Sequence, residues 1–133
     1  MTGGTIVCDV TDPLPGRSAA EFAAALGARL GLRLVLVHVG ADEERTLETV
    51  ARAFGREAET RVALGDHAEA LARVAAEEGA DLIVVGGRPA GLGGRSLRWT
   101  LARELEAATP VPVLVAPPST RKRSDRRLSA QTR

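Results

Sequence analysis

The chain has 133 residues, 44% of them hydrophobic but only three aromatic (Phe22, Phe54 and Trp99), which fits one domain whose core is built from Val, Leu, Ile and Ala. A single cysteine, Cys8, excludes an internal disulfide framework, and the sequence has neither a stretch of membrane-spanning length nor a basic-then-apolar export signal, so a cytoplasmic location is expected. The net charge of +1 divides into +5 on residues 119–133 and −4 on residues 1–118, which removes the electrostatic case for duplex binding by the body.

Residues 5–10 read as a first buried strand with Asp9 near its carboxyl end. Residues 11–16 hold Asp12-Pro13 and Pro15-Gly16, dipeptides that mark a loop. Ser18 then opens a helix, Glu21 completes a Ser-x-x-Glu capping box, Phe22, Leu26 and Leu30 share one face, and Gly31 ends it. A second strand covers 33–39, with His38 expected as a buried, hydrogen-bonded histidine. A second helix covers 42–53, with Leu47 and Val50 inward. The more polar stretch 57–64 is a third strand near an edge. Gly65-Asp66-His67 leads into a third helix over 68–78, with Leu71, Val74 and Ala75 inward, His67 as a helix-start residue and Gly79 as its C′ residue. The fourth strand is 81–86, the fourth helix 96–107 and the fifth strand 112–116. Residues 119–133 are polar, basic and aperiodic, and read as a disordered tail. That tail is either a solubilising extension or a contact for nucleic acid or an acidic partner, with the former favoured.

Strands alternating with helices of about three turns imply an α/β fold: right-handed crossovers and a doubly wound parallel sheet covered on both faces. Ligands of such sheets bind beyond the strand carboxyl ends, where the strand order reverses. Asp9, Val39 and Gly86 all stand at strand ends and should converge there. The stretch 81–116 carries the strongest chemical signal. Its strand stops at Gly86-Gly87, a loop with Gly91, Gly93 and Gly94 follows, and a helix starts near Ser96. Free backbone N–H groups and a helix dipole aimed at one spot suit phosphate, although glycines also end strands for purely structural reasons.

This stretch resembles the universal stress protein family, whose fourth strand ends in Gly-x-x-Gly, nine residues, then Gly-Ser/Thr, followed by a helix and a Pro-Val-Pro-Val-Leu-Val strand. Aligned on Pro110-Val111-Pro112-Val113-Leu114-Val115, Gly86 falls on the first glycine and Thr100 on the hydroxyl residue. Pro89 and Trp99 stand where the second and third glycines belong. The resemblance also takes in Ile6-Val7-Cys8-Asp9, Leu36-Val37-His38-Val39, and the block from Gly65 to Gly86, and covers residues 5–117. It implies a domain over 1–118 with a five-stranded, Rossmann-like parallel sheet in the order 3-2-1-4-5, binding an adenine nucleotide (ATP, with Mg2+ accompanying it) as a sensor or regulator and not as a true enzyme. It also implies a homodimer pairing fifth strands through Val111, Val113 and Val115, where Pro112 is expected to interrupt the donors of the edge while permitting pairing beyond it.

Carried over residue by residue, the resemblance puts Asp9 at the adenine–ribose end of the ligand, with Cys8 and Thr11 beside it and Val39 offering backbone groups to the base. Gly86 lets the backbone approach the ligand, and Thr100 offers its hydroxyl to a phosphate. Arg88 and Arg98 flank the loop with charge for phosphates, Gly91 and Gly93 stand in the loop in place of the missing glycines, and Val85 and Leu101 are further ligand-binding positions. Each has a plainer reading. Asp9 can cap its own loop through an Asx turn, Thr100 can bond a carbonyl one turn back, and the arginines can be solvated loop residues. Pro89 lacks an N–H and fixes φ near −65°, so it cannot copy a donating glycine, and Trp99 fills space a glycine leaves open. The alternative function is therefore a dimeric interaction module of the same fold that binds no nucleotide. Two separated histidines and one cysteine offer no metal cluster, and Lys122 in the tail is the sole lysine, so a Walker-type ATPase is unsupported. A two-component receiver domain is set aside because Leu64-Gly65 and Pro117-Pro118 occupy the places of its phosphoacceptor and its lysine.

Overall fold

The computed structural model describes residues 3–40, 58–87 and 95–117, with Pro13, Leu14 and residues 95–100 given by backbone alone. The helix expected over 42–53, the glycine-rich loop with Arg88, Pro89, Gly91 and Gly93, and the tail 119–133 lie outside the described residues. Strands β1 (Thr5–Asp9), β2 (Arg33–Val39), β3 (Glu59–Ala63), β4 (Leu82–Gly86) and β5 (Val113–Ala116) form one sheet in the order β3-β2-β1-β4-β5. Every pairing is parallel. The described helices are α1 (Pro13–Leu30), α2 (His67–Glu78) and α3 (Arg95–Ala108), the last two being the third and fourth helices expected from sequence.

The strands alternate between two apolar layers, as a sheet covered on both faces requires. On one face Ile6, Cys8, Leu36 and Val84 pack with Ala19, Ala20 and Ala23 of α1. On the other Val7, Val35, Val37, Ile83 and Val85 pack with Leu71, Val74 and Ala75 of α2 and with Leu101 and Leu105 of α3. The alanine stripe of α1 brings that helix close to the sheet.

That helix also corrects the sequence reading. It starts at Pro13, five residues before Ser18, and the Ser18 hydroxyl is buried inside it, so there is no capping box. Asp12 takes the N-cap position without a side-chain cap bond, and the Gly16 N–H closes the first turn on the Asp12 carbonyl at 2.7 Å. The prolines were read as loop signals, but in a first turn a proline loses no helical hydrogen bond, because those N–H groups have no intrahelical partner anyway. Leu30, expected inward, is exposed, while Phe22 and Leu26 pack at the margin of the α1 layer.

Among the remaining described elements, β2 lies at 33–39 as expected, and the other bounds match or shift by at most two residues. β3 is an edge strand, as its polarity suggested, and Gly79 ends α2 at φ 65°. At the amino ends of β2 and β3, Arg33 grips both Glu59 oxygens (2.7 and 2.6 Å) and Glu78 (2.9 Å), while Arg61 reaches Glu77 (2.7 Å) and Glu78 (3.0 Å). The bonds from Arg33, then Arg61, hold the Glu78 carboxyl below its ordinary range. This lattice ties α2 to the sheet at the rim opposite the candidate site.

One further expectation needs correcting. Pro112 does not interrupt the free edge of β5. The Pro112 and Ala116 carbonyls accept from Ile83 and Gly87 (both 2.9 Å), so those residues turn toward β4. In a parallel ladder the alternate residues, Val113 and Val115, then turn both N–H and C=O outward. Val111, the third residue expected at that edge, gives its N–H to the Thr109 hydroxyl at 3.1 Å.

Candidate functional site

The strand order reverses between β2-β1 and β1-β4, so the crevice beyond the carboxyl ends of β1 and β4 is where this topology places ligands. Asp9, the last residue of β1, stands there, 2% exposed. Its Oδ1 accepts the Thr11 N–H (3.1 Å) and the Thr11 hydroxyl (2.6 Å), which is the Asx turn anticipated as the plainer role of Asp9. The Thr11 hydroxyl oxygen in turn accepts the Val39 N–H at 2.9 Å.

The other carboxylate oxygen, Oδ2, lies 3.0 Å from Nε2 of His67, the first residue of α2. A carboxylate can only accept, so Nε2 carries the hydrogen. Asp66 precedes it as N-cap, accepting the Glu69 N–H at 3.1 Å, which fixes the start of α2 and points His67 at the rim. The result is a hydrogen-bonded chain, His67–Asp9–Thr11–Val39, joining α2, β1 and β2. Burial by itself pushes the Asp9 carboxyl up, but the His67 bond and charge and the two Thr11 donors outweigh it and hold the group below the ordinary carboxylate range.

The other expected site residues divide into three groups. Cys8, Val85 and Leu101 have buried side chains in the two apolar layers, so only their backbones can serve a ligand. Burial, then the Asp9 charge, pushes the Cys8 thiol well up. Gly86 lies at the rim, but the atom pressed against it is the Pro15 carbonyl oxygen of α1. A Cβ on Gly86 would fall against that oxygen, 2.5 Å from the carbonyl carbon. Its lack of a side chain is thus accounted for by helix packing. The third group is beyond description: Thr100 lies in α3 with only its backbone described, as do Arg98 and Trp99, and Arg88, Gly91 and Gly93 fall outside the described residues.

Sequence reasoning missed the Asp9–His67 pair, 58 residues apart. The available signal was that a residue opening a helix just after a parallel strand lies at the same rim as every other strand's carboxyl end. His38 is buried as expected, but its Nδ1 has no hydrogen-bond partner among the described residues. Among the described residues no group of three or more His, Cys, Asp or Glu side chains could hold a metal ion, and no helix is long and apolar enough to cross a membrane.

Residues 40–117 match the family model described as the universal stress protein family. The chain belongs to this family. No curated protein matches it. Among solved structures, a universal stress protein in complex with cAMP aligns with TM-score 0.68 at 20% identity, covering 90% of this chain and 100% of its own. A universal stress protein from Archaeoglobus fulgidus in complex with dAMP aligns at 0.63 and 22%, covering 87% and 99%. A universal stress protein family protein from Arabidopsis thaliana with AMP bound aligns at 0.58 and 18%, covering 87% and 93%. At these identities the likeness carries the fold, which agrees with the sheet order and layers of this universal stress protein.

Proposed function

We propose that this universal stress protein binds an adenine nucleotide in the crevice over Asp9, Thr11, Val39 and Gly86 and acts as a dimeric, non-catalytic sensor or regulator in the cytoplasm. One observation carries the reading: a buried carboxylate with a network of polar groups stands at the topological switch point, where an apolar core alone needs none. Solved structures of the same fold in complex with cAMP, dAMP and AMP support it. The base and ribose meet β1 and β2. The phosphates lie toward the start of α3, whose backbone N–H groups suit anions, and ATP would bring Mg2+ with its own phosphates. Titration calorimetry with AMP and ATP tests this; the absence of heat from both at high-micromolar ligand refutes it.

The second reading, an interaction module without nucleotide, is favoured by a specific observation. Asp9, Thr11 and the Val39 N–H are already bonded to one another, so a ligand must displace an existing partner. In both readings the dimer forms by antiparallel pairing of β5. The outward groups of Val113 and Val115 allow each Val113 to exchange two hydrogen bonds with Val115 of a second copy, about a Leu114–Leu114 centre. Light scattering on the eluting protein should give twice the chain mass, and Val115→Pro, which removes one outward donor, should shift it to the monomer. A monomeric parent protein at micromolar concentration refutes the pairing.

A further inference from the structure

Asp9 is the carboxylate through which a nucleotide at this rim would be held, and its two oxygens are not equivalent. Oδ1 receives both Thr11 donors, one from the backbone and one from the hydroxyl. These belong to the turn that leaves β1, and removing them means unmaking that turn. Oδ2 faces Nε2 of His67, whose side chain is 34% exposed, so that this side of the carboxylate is the one nearest solvent. A ribose hydroxyl or adenine amine that donates to Asp9 therefore meets Oδ2, and meets His67 there.

We propose that adenine nucleotides and His67 compete for Oδ2 of Asp9, so that nucleotide binding is linked to protonation of His67 and weakens as the pH falls. This deepens the nucleotide reading and rests on it. The physical reason is the difference between two kinds of bond. A neutral imidazole gives Asp9 an ordinary hydrogen bond that a ligand donor replaces at little cost. An imidazolium gives it a charge-assisted bond of roughly twice the strength, to a carboxylate that is itself 2% exposed. Histidine is the side chain whose charge changes most readily around neutral pH, which is why pH is the variable that tests the competition.

Among the described residues, the other titratable groups around the pair do not supply the same effect. On β1 the Cys8 thiol points into the α1 layer and stays un-ionised. On β2 the nearest is His38, which lies on the opposite face of the sheet from Asp9, and β4 carries no titratable side chain. Asp12 in the turn before α1, and Asp66 and Glu69 at the start of α2, are carboxylates, which cannot donate to Oδ2 in place of the imidazole; Asp66 is occupied as the α2 cap. Arg73 of α2 is anchored on the Leu64 carbonyl at 3.0 Å.

The experiment is calorimetric titration of the whole chain with cAMP near pH 8 and near pH 5.5, on the parent protein and on His67→Ala. cAMP is the probe because its phosphodiester keeps one negative charge over that range, so the ligand contributes no titration. The expected result is binding about tenfold weaker at the lower pH in the parent protein, and no pH dependence in His67→Ala, with affinity at both values at least that of the parent at pH 8. Imidazole nitrogen NMR on the parent protein should show the His67 Nε2 resonance moving as cAMP saturates the site. Equal affinity at both pH values in the parent, or an unchanged pH dependence in His67→Ala, overturns the competition and leaves nucleotide binding standing. No cAMP binding by either folded protein at pH 8 overturns the nucleotide reading and this inference with it.

Discussion

Gly86→Ala separates a structural glycine from a ligand-contacting one. A methyl group at this position would meet the Pro15 carbonyl, lying 2.5 Å from its carbon and 2.9 Å from Pro15 Cβ. Ordinary contact begins at 3.4 Å, so clearing the carbonyl carbon alone takes a retreat of about 0.9 Å by the first turn of α1, and the oxygen, which lies nearer, sets this as the minimum. The same turn is also tight against the residue after β1, because Gly16 sits where an added Cβ would be 2.7 Å from Val10 Cα, so a retreat from β4 draws it off β1 as well. A retreat of that size thins the contacts of Ala19, Ala20 and Ala23 with Ile6, Cys8 and Val84. Gaps of 0.5–1 Å forfeit roughly a quarter to a half of each contact's dispersion well, and overpacking of this kind costs about 1–3 kcal/mol. At about 4 °C per kcal/mol for a domain of this size, the midpoint should fall by roughly 4–12 °C. Thermal unfolding followed by far-UV circular dichroism, with urea midpoints as a second measure, reads the change. An unfolding midpoint within 1 °C of the parent, under the ~4 °C lower bound, would refute the packing argument and return Gly86 to a purely ligand-facing role.

Three other outcomes follow from the same network and core. Asp9→Asn should destabilise the fold by about 2–4 kcal/mol, because it leaves His67 and the Thr11 donors facing a weaker acceptor in a buried site. The folded-state pKa of Asp9 lies below its unfolded value, so its stabilisation is complete above the unfolded value and is lost as pH falls through the folded one. Urea midpoints taken from neutral pH into acid should therefore fall less steeply for Asp9→Asn than for the parent protein, and parallel curves would contradict the pairing. Asp66→Ala removes the α2 cap and should cost about 1 kcal/mol by urea unfolding, with hydrogen exchange accelerated at Glu69. Leu71→Ala, at a fully buried position between α2 and the sheet, should cost about 2–4 kcal/mol, and a loss under 1 kcal/mol would mean that layer closes around the gap.

Most of the architecture was legible because parallel strands covered on both faces announce themselves as short apolar runs, and 5–10, 33–39 and 82–86 have no competing pattern. Helix boundaries were legible where local chemistry decides them, as with Asp66 before α2 and Gly79 after it. The start of α1 was not, because Pro13 and Pro15 carry the same local meaning in a loop and in a first turn. What separates the two is whether the next residues pack on the sheet. Asp9 could be picked out as a rim residue from its place at the end of β1, and its Asx turn to Thr11 was foreseeable from two positions apart.

The sequence by itself determined the strand periodicity, the aromatic-poor Val, Leu, Ile and Ala core and the family, since these depend on residue type and spacing along the chain. Only the tertiary structure decided that His67 holds Asp9, that Pro15 fills the space over Gly86, and that Val113 and Val115 rather than Pro112 face the open edge. Each is a contact between segments brought together by the strand order and the direction of the ladder, and one-dimensional spacing carries no information about which side chain reaches which rim atom.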